Sequence, residues 1–127
     1  MVDENLPAAM AKALAALFVG EHEIHHLREK FGPKVTDLEW MKALNGDGTW
    51  IIISSDRRIA RNKAEMQVFR ASKLIGFFFG RALQKSSIIK QMERLMALWE
   101  NIEKQASLVG GGSMFEIPIK STKLSTI

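Results

Sequence analysis

Trp50-Ile51-Ile52-Ile53-Ser54-Ser55-Asp56 decides the fold class. Its first four residues form an unbroken, largely β-branched apolar run, the composition of a parallel strand covered on both faces. The polar residues arrive together at the carboxyl end, where Asp56 leads into a basic connection containing Arg57, Arg58, Arg61 and Lys63. Downstream, residues 63–71 read as a helix, and Leu74-Ile75-Gly76-Phe77-Phe78-Phe79 as a second buried strand. Upstream, Asn45-Gly46-Asp47-Gly48 is turn chemistry. Before it, Thr36-Asp37-Leu38-Glu39 reads as a capping box, which predicts a helix with Leu38, Met41 and Leu44 on one side.

The outer segments extend the same alternation. Met1-Val2 is a very short strand ahead of Asp3-Glu4-Asn5-Leu6-Pro7, and Pro7 opens an Ala-rich helix over residues 8–19 that Gly20 can end. Residues 22–27 alternate loosely as a short strand, broken by Phe31-Gly32-Pro33. The strongest helix covers residues 87–108. Ile88, Met92, Leu95, Trp99, Ile102 and Ala106 alternate steps of four and three and form one stripe. Three glycines, Gly110 to Gly112, end it, residues 114–119 read as a last strand, and the tail 120–127 shows no period and is free to be flexible. Strands alternating with helical crossovers predict a three-layer α/β/α domain with a mostly parallel sheet, spanning residues 1–127 as a single unit.

Composition narrows the function classes. Hydrophobic residues make up 46% and charged residues 25% of the 127, the balance of a globular chain. The absence of cysteine excludes disulfides, thiolate zinc sites and cysteine nucleophiles, and accords with a reducing cytoplasm. No apolar run is long enough to span a bilayer, and Asp3 and Glu4 stand where a secretory signal has basic residues. A cytoplasmic protein without a membrane partner is expected. The formal charge of +4 permits a polyanionic partner without requiring one.

In an open parallel sheet, ligands bind beyond the carboxyl ends of the strands. Asp3 follows the first strand, Asp56 follows the most apolar one, and Asp37 opens a helix. Three carboxylates from three segments are the hard oxygen donors that Mg²⁺ or Mn²⁺ prefers, and such an ion activates water and neutralises charge on a scissile phosphate. Each acid also has a plainer explanation. Aspartates at strand ends are commonly turn formers or caps, Asp37 suits the first turn of a helix, and Glu39 is best read as a cap. Arg57, Arg58, Arg61 and Lys63 suit either RNA phosphates or a solvated basic turn. His22, His25 and His26 lack the spacing of a shared zinc site, since neighbours on a strand face opposite ways, and read as packing or surface residues. Phe77 to Phe79 and Trp99 read as core, not as a base-stacking platform.

Several motifs in fixed order carry a family resemblance. Asp3-Glu4-Asn5-Leu6-Pro7 resembles the opening of one branch of PIN-like domains. His22-Glu23-Ile24 with His26-Leu27-Arg28 is similar to that branch's second strand, and Thr36-Asp37-Leu38-Glu39-Trp40 to its Asp-bearing helix start. Trp50 to Asp56, followed by Arg57-Arg58, is similar to its strand-three aspartate motif. The resemblance runs over nearly the whole chain, which closely resembles the PIN-like toxins grouped with the VapC family of toxin–antitoxin systems. It implies a PIN-like fold and a Mg²⁺- or Mn²⁺-dependent ribonuclease. Asp3, Asp37 and Asp56 would be the metal-site and catalytic acids, with Glu4 and Asn5 supporting them. The implied partners are RNA, gripped by Arg57, Arg58, Arg61 and Lys63, and an antitoxin protein. Residues 114–119 with the tail are a candidate surface for that antitoxin or for a second copy in a homodimer. The sequence departs from the family pattern after Phe79, where Gly80-Arg81 stands in place of a further acid, leaving that acid missing or supplied elsewhere.

Two other readings fit parts of the pattern. A PIN-like module that binds RNA or protein without turnover would explain the absent acid. A receiver-type phosphoacceptor domain would share the acids after strands one and three. It would also need a hydroxyl residue where Phe79-Gly80 stands and a lysine followed by proline, whereas Pro118 precedes Lys120.

Overall fold

The computed structural model describes residues 1–2, 6–18, 24–47, 50–55 and 61–127. Among them, the helices are α1 (Ala8–Leu17), α2 (Leu27–Phe31), α3 (Asp37–Gly46), α4 (Lys63–Arg70), α5 (Arg81–Gln84) and α6 (Ile88–Leu108). The strands are β1 (Ile51–Ser54), β2 (Ile75–Phe79), β3 (Met114–Ile117) and β4 (Ser125–Thr126). The four strands lie side by side in chain order. β1 and β2 pair in parallel, as do β2 and β3, and β4 runs antiparallel to β3. Beyond β1, Val2 bridges in parallel to Ile53 on one side and to His26 on the other. The sheet is mostly parallel with helices on both faces, a three-layer α/β/α arrangement.

Side-chain alternation along β2 sets the layers, because successive residues of a strand point to opposite faces. Ile75, Phe77 and Phe79 join Val2, Ile53, Phe115 and Ile117 in a core roofed by α1, α5 and α6. On the other face, Phe78 joins Ile52, Met114 and Leu74 beneath α2, α3 and α4, with Trp40, Met41, Leu44 and Phe69 as the helical members. A strand buried on both faces has no polar positions, which is why β2 reads as an unbroken apolar run.

Local signals in the chain place the helix starts. Thr36 Oγ1 accepts from Glu39 N at 3.2 Å and Thr36 N donates to Glu39 Oε2 at 3.3 Å, the reciprocal box its sequence predicts. Asn62 caps α4 through Glu65 N, and Ser87 caps α6 through Lys90 N. Past α6, Gly112 adopts φ +86°, and its N–H donates to Leu74 O, turning the chain into β3.

Three sequence expectations change. Residues 22–27 were expected to form a strand, yet among the described ones only His26 pairs, and Leu27 already begins α2. The α6 stripe was expected to start at Ile88, which is 50% exposed. Gln91, Arg94 and Leu98 are buried instead; carbonyls outside α6 accept from the nitrogens of the two polar side chains, while Gln91 Oε1 is buried without a partner among the described residues. Gln91 Nε2 donates to the carbonyls of Leu83, Gln84 and Ser86, and Arg94 Nε donates to Pro118 O at 3.1 Å. Finally, the tail carries a strand: Ser125 and Thr126 pair with Glu116 and Phe115, and Arg70 donates to Ile127 O.

Candidate functional site

The carboxyl edge of the parallel strands is the end at which Val2, β1, β2 and β3 finish. Val2 and Ile53 are partners, with Ile53 N donating to Met1 O at 2.8 Å, so the chain leaves Val2 and β1 toward the same edge. Ser54 and Ser55 close β1 and are buried. The side-chain amide of Gln84, at the end of α5, donates to Ser55 O and ties this edge to the helix that follows β2.

Of the proposed metal-site acids, Asp37 is the one among the described residues. Asp3 and Asp56 lie outside them, as do Glu4, Asn5, Arg57 and Arg58. Asp37 is the first residue of α3, where a negative charge is favourable. Its Oδ1 accepts from Trp40 Nε1 at 2.9 Å, and Trp40 is wholly buried in the second core. The indole therefore fixes the carboxylate's orientation, while Oδ2 accepts no hydrogen bond among the described residues. A carboxylate held through one oxygen with the other open fits the donor chemistry of a hard divalent ion, whose ligands are commonly oriented by a further hydrogen bond. No group of three or more His, Asp or Glu side chains placed to hold a metal occurs among the described residues.

Arg61 is exposed beside the cap of α4, and Lys63 is the exposed first residue of that helix. His25 and His26 go separate ways, as neighbours on an extended segment should. The His25 ring sits 5.7 Å from that of Trp50, and His26 Nε2 lies 2.8 Å from Leu6 O. Trp99 stacks on Phe18 at 4.5 Å, and Phe77, Phe78 and Phe79 are fully buried, so these aromatics belong to the core.

At its amino end the chain buries an ionisable amine. The Met1 amine donates to Ile51 O at 2.8 Å inside the fold, and burial lowers its pKa to about 5. An ammonium so far from water is disfavoured, so the amine is neutral near pH 7.

Residues 1–81 match the family described as PIN like domain. The chain belongs to the PIN-like domain family. The matched region contains Val2, α1 to α4, β1 and β2 and stops at Arg81, the first residue of α5. No curated protein and no solved structure is similar enough to the chain to match it. PIN-like domains form a nuclease-type superfamily. In this PIN-like domain the sheet edge carries an acid that sequence reasoning missed. Glu116 of β3 pairs with Phe78, and its carboxylate reaches the space over Gly80, just where no acid follows β2. Only strand register brings these two positions together, so nothing local in the sequence signals the pairing.

Among the described residues, no helix is long and apolar enough to cross a membrane.

Proposed function

We propose that this PIN-like domain is a Mg²⁺- or Mn²⁺-dependent endoribonuclease that hydrolyses RNA phosphodiester bonds, acting in the cytoplasm as a VapC-type toxin restrained by an antitoxin protein. The observation that carries the reading is the parallel pairing of Val2 with Ile53 in a chain of this family. Asp3 follows Val2 directly and Asp56 follows Ser55, so the two acids succeed neighbouring strands that end on one edge. Asp3, Asp37 and Asp56 would hold the ion, with Glu4 and Asn5 beside Asp3. Asp37 brings a carboxylate already oriented by Trp40. The bound ion supplies charge neutralisation at the scissile phosphate and a more acidic water.

The chain's own residues do the remaining work. Arg57, Arg58, Arg61 and Lys63 offer cationic donors for the RNA backbone on the stretch that follows Asp56. Guanidinium groups can bind a phosphate through two parallel hydrogen bonds, which fixes its orientation. Burial of the β1 end behind Ser54 and Ser55 limits water at that strand terminus.

One feature favours a second reading, a PIN-like module that binds RNA or protein without cleaving it: Gly80-Arg81 follows β2 with no acid. Cleavage of a mixed RNA by the purified protein with Mg²⁺, Mn²⁺ or EDTA, beside Asp56→Asn, separates the two. Metal-dependent cleavage lost in Asp56→Asn establishes the nuclease. A folded protein that retains RNA in a salt-dependent manner but never cuts it is the binding module.

A further inference from the structure

His26 is buried, and its two ring nitrogens differ. Nε2 lies 2.8 Å from Leu6 O, and because a carbonyl only accepts, Nε2 carries the hydrogen of that bond. Nδ1 is buried with no hydrogen-bond partner among the described residues. A histidine placed inside a fold with half its polar capacity unused is held there for the other half, since an unmet buried acceptor is costly.

The other half does something specific. Val2 N donates to His25 O and Leu27 N donates to Val2 O, both at 2.8 Å. Val2 is therefore fastened by the backbone of residues 25–27, and Leu6 by the side chain of His26 from the same segment. Between the two fastened residues lie Asp3, Glu4 and Asn5. We propose that His26 is a positioning residue for Asp3, closing the short span that carries it by holding Leu6 while the neighbouring backbone holds Val2. The proposal rests on the metal-dependent reading of Asp3 given above.

Leu6 is itself buried in the first core, and the His26 bond adds a tether on its backbone carbonyl. Fixing both ends of a three-residue span restricts its backbone far more than fixing one, and metal ligands depend on such support. Losing a residue that orients a ligand typically weakens metal binding about 10- to 100-fold.

The test uses two side chains that differ in reach. His26→Gln carries its amide nitrogen about as far out as Nε2 and can still donate to Leu6 O. His26→Asn ends near the position of Nδ1 and cannot. Leu98→Ala, in the core on α6, serves as a control for general destabilisation. Mn²⁺ affinity is measured by calorimetry on each protein, with thermal melts in EDTA to establish folding. Wild type, Leu98→Ala and His26→Gln should agree within about threefold, and His26→Asn should bind about 10- to 100-fold more weakly.

Wild-type affinity in folded His26→Asn overturns the role of His26 and leaves the metal reading standing. If His26→Asn does not fold, His26→Gln decides. Retained affinity supports the clamp, and a tenfold loss in folded His26→Gln overturns it. Folded wild type that binds no Mn²⁺ overturns the metal reading, and the positioning role with it.

Discussion

The carboxylate of Glu116 occupies the space that a side chain on Gly80 would need. A Cβ at Gly80 would stand 3.1 Å from Glu116 Oε2 and 3.2 Å from its Cδ. The obstructing atoms are the end of a flexible side chain, which can swing aside. Gly80→Ala should cost about 1 kcal/mol of overpacking and displace the carboxylate from the sheet edge. Gly112 is the contrasting case: at φ +86° its Cβ would meet Arg70 O at 2.2 Å, and that oxygen belongs to backbone. Gly112→Ala should cost on the order of 3 kcal/mol, read as the difference between the urea midpoints of the two variants.

Asp37 carries a structural bond and a proposed chemical role on the same carboxylate, and two substitutions separate them. Asp37→Asn keeps an oxygen able to accept from Trp40 Nε1, so stability should fall by less than about 1 kcal/mol while metal-dependent cleavage is lost. Asp37→Ala should lose both, leaving the buried indole N–H without its acceptor. Thermal melts beside a cleavage assay check the pair. Cleavage at the wild-type rate by Asp37→Asn would remove this residue from the site.

The exposure of Ile88 predicts a sharp contrast along α6. Leu95 is fully buried in the first core, and Leu95→Ala should destabilise by about 2–5 kcal/mol. Ile88→Ala should stay within about 0.5 kcal/mol, although both residues sit on the same apolar stripe of the sequence. Urea unfolding of the two variants measures the difference.

The buried Met1 amine links stability to pH. Its pKa falls from 8.0 in the open chain to about 5 in the fold, so between these values the unfolded state holds the extra proton. Stability from this group is complete above pH 8 and is lost as pH falls toward 5, by an amount on the order of a few kcal/mol. Urea midpoints at pH 8, 6.5 and 5 should decline in that order.

Arg61 and Lys63 are exposed and close together in sequence, so their contribution to RNA binding should be electrostatic. Neutralising either one should weaken RNA binding alike for unrelated sequences. Each change should reduce the slope of log affinity against log salt by about 1. Filter binding at several salt concentrations measures the slope, and an unchanged slope would take these residues out of the RNA interface.

Much of the scaffold was legible because the signals are local. The apolar runs at β1 and β2 needed no partner to be recognised, and the Thr36–Glu39 box acts within four residues of chain. The short helix at Leu27 was not, since five residues are too few to show a helical period. Ser125 and Thr126 carry no strand pattern either. Both are exposed, and their pairing with β3 is a property of the edge they meet.

The site divides the same way. Asp3, Asp37 and Asp56 could be named from sequence because each follows a recognisable strand or opens a recognisable helix. The sequence alone thus determined the main strands and helices and the identity of the candidate acids, through propensity, capping and alternation, which operate between near neighbours. Tertiary structure alone decided that His26 holds Leu6, that Trp40, which orients Asp37, lies in a buried core, and that Glu116 reaches the space over Gly80. The first and last of these relationships depend on how separate segments pair across the sheet. The second joins residues three apart on α3, so its spacing is local and only the burial of Trp40 is tertiary.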